Sequence, residues 1–255
     1  MTKLDEARAC ADDFLFPTAN DVDAAPIVPR ERLDRLAADG WYGIASPASN
    51  VPMTDAWPIL AAFTGGCATT TLVWMQHFGV IIPVAFGPDH LRDELLEPLA
   101  AGDVRGTVAY AGLLPDPKLR SRLDGDTWVI DGTAPWMSGW SEWPERDAMR
   151  INGNGAMAIG VAERCARLIG SDALLDDIAE AAAALDTDDV ATFPAGRARA
   201  SALAVRAASM LVAHEGSASA NCGTNAERLY REAGMLLVYA TRPSIRAELL
   251  SSFGS

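Results

Sequence analysis

The feature that most constrains the fold of this chain is a β-hairpin signal at residues 119–140, inside a sequence otherwise patterned for helices. Two Asp-Gly pairs, Asp124-Gly125 and Asp131-Gly132, flank the tetrapeptide Thr-Trp-Val-Ile. Asp-Gly is a preferred pair in tight hairpin turns, and β-branched and aromatic residues favour strands. The sequence therefore predicts a small antiparallel piece here, with a turn at each Asp-Gly pair.

Apolar residues recur at helical spacing on both sides of this piece, and Gly40 and Gly102 stand where helix C-termini are expected. The expected helices cover residues 31–39, 54–63, 67–78, 88–101, 155–169, 174–185, 197–214, 225–237 and 242–253. A polar linker is expected at 141–150. The fold class is predicted to be mainly α, with an N-terminal helical domain (1–103), a truncated antiparallel β-domain (104–148) and a C-terminal four-helix bundle (149–255).

Composition excludes several classes of function. The 255 residues carry a net charge of −13, which argues against a nucleic-acid partner, since such a partner requires a basic face. The four cysteines lie far apart and only three histidines are present, so no metal-site spacing arises. The N-terminus is polar and each apolar run looks too short to cross a bilayer, so a cytoplasmic protein without a membrane partner is expected. Nucleophile-elbow, Walker and Rossmann motifs are also missing from the sequence.

Several short motifs occur in an order that resembles one enzyme family. They are residues 33–47 (LDRLAADGWYGIASP), the helical stretch 91–103, the strand-like 136–138 (WMS) and the stretch 226–233 (AERLYREA). In this order, and with the hairpin between two helical blocks, they resemble the acyl-CoA dehydrogenase family over nearly the whole chain.

The resemblance implies a flavin-dependent CH–CH oxidoreductase. In that family a carboxylate removes an α-proton from an acyl-CoA thioester while FAD accepts a hydride from the β-carbon. The resemblance implies that Trp136 and Ser138 lie beside FAD and that Arg197 faces an anionic part of a ligand, although a surface charge is the alternative for Arg197. It also implies a homo-oligomer, or a hetero-oligomer with a full-length acyl-CoA dehydrogenase, through an apolar face at 234–240.

The sequence departs from the family at the catalytic base. When Arg228 is aligned with the family's helix, Ala240 stands at the usual position of the base. Some family members carry the base on the first helix after the β-domain, where Glu163 is the candidate. The competing interpretation is a solvated polar stripe of Glu163, Arg164 and Arg167, in which the glutamate pairs with the arginine four residues later.

The FAD motifs are incomplete as well. The stretch 106–117 lacks the family's Gly-Ser-Asp loop, and the stretch 217–224 keeps one glycine of a Gly-rich segment. FAD is therefore a doubtful cofactor on sequence grounds. Three functions stay open at this point: an oxidoreductase with an unrecognised base, a non-catalytic partner subunit of a full-length acyl-CoA dehydrogenase, and a non-redox enzyme that reuses the fold.

Two histidines have structural explanations. His77 follows an apolar helix, where a core position is commoner than a catalytic one. His214 closes a helix, where a positive side chain interacts favourably with the helix dipole. Neither is therefore taken as a catalytic candidate.

Overall fold

The computed structural model of the protein describes residues 2–108, 119–132, 144–187, 189–239 and 242–254. It is mainly helical with one two-stranded antiparallel sheet, as predicted. The elements before and within the sheet are α1 (Lys3–Cys10), α2 (Ala19–Ala24), α3 (Arg30–Ala38), α4 (Met53–Gly66), α5 (Ala68–Met75), α6 (Phe78–Ala85), α7 (Asp89–Ala101), β1 (Leu119–Asp124) and β2 (Thr127–Gly132). The elements after it are α8 (Pro144–Ile169), α9 (Asp172–Ala183), α10 (Phe193–Glu215), α11 (Asn225–Val238) and α12 (Pro243–Gly254). In this last group α10 packs against α8, α9, α11 and α12, which forms the helical bundle.

Glycines end two N-terminal helices where the sequence predicts. Gly40 after α3 and Gly102 after α7 have φ angles of 78° and 79°, in the left-handed region that other residues rarely adopt. The Gly102 N–H donates to the Leu99 carbonyl at 3.0 Å. Both helix ends are thus determined by the local sequence.

Two predicted boundaries are wrong. The single helix expected at 67–78 is divided between α5 and α6, because the His77 N–H bonds to the Trp74 carbonyl at 3.2 Å in a tighter turn. The polar linker expected at 141–150 is helical from Pro144 onward. Proline is favoured at the first position of a helix, and polar residues after it are compatible with a helix start.

The hairpin has one of the two predicted turns. The register pairs Asp124 with Thr127, so the chain reverses at Gly125, whose φ is 61°. The second Asp-Gly pair instead lies in β2, where Gly132 is opposite Leu119. Three large apolar side chains of the hairpin are more than half exposed: Leu123, Trp128 and Ile130.

The helices on the two sides of the hairpin share one apolar core, in which α4 crosses α8 at very short range. A Cβ atom added to Gly160 would lie 2.0 Å from the Ala61 carbonyl oxygen, and one added to Gly65 would lie 2.6 Å from the Gly160 carbonyl oxygen. Real Cβ atoms do not approach backbone so closely. The two glycines therefore set the distance between the N-terminal helices and the bundle.

One described stretch, Ala68–Ala85, is apolar and long enough to span a membrane by length and composition alone. Its mean hydropathy is 1.2 over 18 residues, and 39% of it is buried in the protein. The expectation that each apolar run is too short for a bilayer is therefore wrong for this stretch. Core helices of soluble proteins meet the same criterion, and Trp74 and Ile81 are buried here.

Candidate functional site

Glu163, the predicted alternative base, lies on α8 beside a positive charge. Its carboxylate is 3.8 Å from the Arg167 guanidinium, and 36% of its side chain is exposed. The cleft that it lines has a volume of about 10 Å³. Ligand pockets usually have about 300 Å³ or more, so this cleft has no room for an acyl chain. The structure thus contains the ion pair that the i,i+4 spacing predicts.

The sequence suggested that Arg164 belongs to a solvated stripe, and this prediction is wrong. It is buried, and its Nε donates to the Gly65 carbonyl at 2.9 Å. Its guanidinium also pairs with Asp12 and lies over the Phe16 ring at 4.3 Å. The side chain is buried because α4 supplies the Gly65 carbonyl and the segment before α2 supplies the Phe16 ring. Neither contact can be read from the sequence around Arg164.

Arg197 is neither a surface charge nor open to a ligand. Its side chain is 1% exposed, and one guanidinium nitrogen, Nη2, donates to the carbonyls of Leu236 at 2.7 Å and Tyr239 at 3.4 Å. These carbonyls close α11, where a positive charge is favourable. Burial lowers the pKa of Arg197 to about 10. Its Nη1 has no hydrogen-bond partner among the described residues.

Sequence reasoning missed a buried ion pair on α11, and the arginine of this pair also bonds to an N-terminal helix. Arg228 Nη1 lies 2.7 Å from Glu232 Oε1, and the two side chains are 1% and 6% exposed. Arg228 Nε also donates to Asn20 Oδ1 at 2.8 Å. Burial raises the pKa of Glu232, and the Arg228 charge opposes that rise. The i,i+4 spacing on the Arg228 helix was the signal available, but it does not reveal burial.

His77 is a core residue, in agreement with the prediction. It is 1% exposed, its Nδ1 accepts the Gly106 N–H at 3.3 Å, and its ring packs edge-on against Tyr42 with 4.8 Å between centroids. Burial lowers its pKa to about 4. A protonated Nδ1 could not accept the Gly106 bond, so the fold holds the neutral imidazole.

This depressed pKa predicts a pH dependence of stability. The unfolded chain binds the His77 proton near pH 6.5 and the folded chain only near 4. The contribution of the neutral His77 to the unfolding free energy is therefore present above pH 6.5 and is lost as the pH falls towards 4. Between about pH 7 and pH 5, protonation of His77 in the unfolded chain should lower the unfolding free energy of the wild type by about 2 kcal/mol. In His77→Gln this part of the decrease should be missing. Urea titrations at both pH values measure it. His214→Gln, at an exposed helix end, is the control and should keep the wild-type loss. Equal losses in all three proteins would contradict the assignment.

The comparisons with known proteins agree with this architecture. Residues 3–103 match the family described as acyl-CoA dehydrogenase, N-terminal domain. Solved structures extend the likeness over nearly the whole chain. The chain therefore has an acyl-CoA dehydrogenase-like fold, and its residues 3–103 match the N-terminal domain of that family.

Three solved structures give the extent of that likeness. A chain of the electron transferring flavoprotein structure of Acidaminococcus fermentans has a TM-score of 0.74 at 15% identity, with 98% of this chain and 96% of that chain covered. Butyryl-CoA dehydrogenase from Megasphaera elsdenii has a TM-score of 0.69 at 14% identity and the same coverage. The Tcur3481-Tcur3483 steroid ACAD, as a G363A variant, has a TM-score of 0.68 at 12% identity, with 99% and 98% covered. No curated protein sequence matches the chain.

Three predicted positions of the chain lie outside the described residues. They are Trp136 and Ser138, expected beside FAD, and Ala240, at the family's base position. Their assignments stay predictions, as do the domain boundaries 1–103, 104–148 and 149–255. Arg197 and Glu163 are described. Arg197 bonds to the Leu236 carbonyl of α11, and Glu163 pairs with Arg167 on α8.

Among the solved structures of similar fold, PigA is described with FAD and proline, at a TM-score of 0.69 and 13% identity. Among the described residues, only Arg197 was predicted to hold FAD. That guanidinium does not fit a pyrophosphate, because it is 1% exposed and its Nη2 already donates to two backbone carbonyls. In the same described ranges, no group of three His, Cys, Asp or Glu side chains is placed to hold a metal ion.

Proposed function

We propose that this acyl-CoA dehydrogenase-like chain is a non-catalytic subunit, which assembles with a full-length, glutamate-bearing acyl-CoA dehydrogenase and does not itself remove an α-proton. The observation that carries the proposal is the position of Glu163. Its carboxylate neighbours Arg167 and lines a cleft of about 10 Å³. A general base must reach the proton that it removes, which requires a substrate-sized space beside it.

The buried carboxylate of Glu232, also on the bundle, supports the same conclusion. Glu232 is 6% exposed and receives a hydrogen bond from Arg228 at 2.7 Å. A carboxylate enclosed in this way has no path to a thioester. Ala240, at the family's usual base position, has no proton-accepting side chain at all.

Exposed apolar side chains on the last two helices support a partner. Val238 on α11 is 73% exposed, and Leu250 and Phe253 on α12 are 67% and 55% exposed. Burial of such side chains contributes about 25 cal/mol per Å² of apolar surface removed from water. The Tcur3481-Tcur3483 steroid ACAD, with a similar fold, is named for two proteins together. We therefore place the subunit interface on α11 and α12.

The test is the activity of the purified chain, with and without its predicted base. The wild type should show no acyl-CoA-dependent reduction of an electron-accepting dye and no flavin absorbance near about 450 nm, the region of flavin cofactors. Glu163→Gln should behave as the wild type does. Glu180→Gln is the matched control, since Glu180 is also in an ion pair on a helix surface, 2.9 Å from Arg199.

Two results would contradict the proposal. One is measurable turnover that Glu163→Gln lowers by about 10²-fold or more while Glu180→Gln leaves it unchanged, the usual loss for a proton-transfer residue. The other is a monomer by light scattering that also fails to co-purify with a co-expressed, full-length acyl-CoA dehydrogenase from the same genome.

A further inference from the structure

A cavity of about 380 Å³ lies in the N-terminal half, well apart in sequence from the bundle. It is a cleft open to solvent, bordered by the start of α1, the loop between α3 and α4, and the end of α7. Its lining residues are Lys3, Gly40, Gly43, Ile44, Ser46, Ala48, Ser49, Asn50, Val51 and Ala100. The volume is within the usual range of small-molecule sites, about 300–1,000 Å³.

Two serine hydroxyls in this cavity have protons to donate. Ser46 Oγ accepts the Ala48 N–H at 3.3 Å, and Ser49 Oγ accepts the Val51 N–H at 3.1 Å. Neither hydroxyl donates to another group in the described part of the chain. Ser46 is 7% exposed, so its donor is largely withdrawn from solvent. A hydroxyl that lines a cleft and has no acceptor within the protein is available to donate to a ligand that brings acceptor oxygens.

Lys3 supplies a positive charge to the same cavity. Its ammonium group lies 4.1 Å from the centre of the Trp41 ring and bonds to Glu6 at 2.8 Å. An ammonium has three N–H donors, and the Glu6 carboxylate takes one of them. Among the described residues that line the cleft, Lys3 is the only one with a charged side chain, and Glu6 does not line it. The charge in the cavity therefore favours an anion.

Apart from Asn50, the rest of the lining is apolar. Ile44, Ala48, Val51 and Ala100 provide aliphatic surface opposite the polar groups. A phosphate would leave this surface without a partner, and a hydrocarbon would leave the two hydroxyls without an acceptor. A short aliphatic carboxylate satisfies both, because one end accepts hydrogen bonds and the other is apolar.

We propose that this cavity binds a small aliphatic monocarboxylate, with the carboxylate on Ser46, Ser49 and Lys3 and the alkyl chain against Ile44 and Val51. The site is separate from Glu163 and from the subunit interface on α11 and α12. The proposal does not depend on whether the chain is catalytic.

The experiment is a titration of the full chain with sodium butyrate, followed by amide NMR shifts at Ser46, Ser49 and Val51. Saturable shifts with a millimolar dissociation constant are expected, as for a ligand of few atoms. The neutral analogue 1-butanol should bind at least about tenfold more weakly, since hydrogen bonds to a charged group are stronger than those to a neutral one. Sodium chloride at equal ionic strength corrects for salt.

Variants identify the site. Ser49→Ala should weaken butyrate binding about tenfold, and Ser49→Thr, which keeps the hydroxyl, should retain most of it. Ala48→Leu fills the cavity from an exposed position and should abolish binding. Lys3→Met should remove the preference for butyrate over 1-butanol. Ser209→Ala is the control, because Ser209 is exposed on α10 and donates to the Val205 carbonyl.

Three outcomes would overturn the proposal. The first is the lack of any saturable butyrate shift at these amides. The second is equal affinity for 1-butanol, which would rule out carboxylate recognition. The third is wild-type binding in both Ser49→Ala and Ala48→Leu, provided that their melting temperatures show folded protein.

Discussion

Replacement of Gly160 by alanine is expected to lower the free energy of unfolding by at least about 3 kcal/mol. The new Cβ would lie 2.0 Å from the Ala61 carbonyl oxygen and 2.7 Å from its carbon, both backbone atoms. A flexible side chain could move aside, but backbone cannot unless α4 separates from α8. Ile59 and Phe63 of α4 are fully buried in the shared core, so this separation would disrupt the packing of the whole molecule. Chemical denaturation, monitored by circular dichroism, gives the measurement.

Gly234→Ala is the matched control for this substitution. Gly234 is also helical, on α11, but a Cβ added there would meet no atom within 4 Å. Alanine is the better helix former by about 1 kcal/mol, so this variant should be slightly more stable than the wild type. If Gly160→Ala were as stable as Gly234→Ala, the close crossing of α4 and α8 would be wrong.

The second large effect is expected from Arg228→Met, which should cost about 3–5 kcal/mol of unfolding free energy. The substitution leaves the Glu232 carboxylate 6% exposed and without its cation. A charge that is buried and unpaired is far less favourable than one in water. The same variant also removes the hydrogen bond from Arg228 to Asn20, which holds α2 against α11. Denaturant unfolding at neutral pH measures the loss.

Two further variants separate burial from charge. Arg231→Met removes an ion pair of the same helix with Asp23 and Glu227, but 51% of the Arg231 side chain is exposed, so the cost should be at most about 1 kcal/mol. The double replacement Arg228→Met with Glu232→Met should be less destabilising than Arg228→Met alone, because no charge is left behind. If the double variant were less stable than Arg228→Met, the unpaired Glu232 carboxylate would not be the cause of the lost stability.

Much of the fold was predictable because its signals are local. Gly40 and Gly102 end helices through their own backbone conformation, and Asp124-Gly125 forms a turn with its neighbours alone. The division between α5 and α6 was not predictable, since nothing in the apolar run around His77 marks a break. The helix at Pro144 was missed because polarity was taken as evidence for a linker, although a helix start accommodates polar residues as well.

The candidate site was less predictable, because burial of charged residues depends on distant parts of the chain. The i,i+4 pair of Glu163 and Arg167 is local and was expected. Arg164 is buried through the Gly65 carbonyl, 99 residues earlier, and Arg197 through Leu236, 39 residues later. No pattern within one helix contains that information. The cavity beside Lys3 was missed for the same reason, since three separate segments border it.

The hairpin is the part of this fold whose length can change with the least effect on the packing of the helices. The apolar cores described for the helices contain no residue of β1 or β2, while Trp128 and Ile130 are 66% and 70% exposed. The strands therefore contribute almost nothing to the packing that holds α4 against α8. Insertions and deletions in β1 and β2 should therefore change the stability of the helical part very little. The length of the hairpin can then change between related proteins while the packing of the helices is retained.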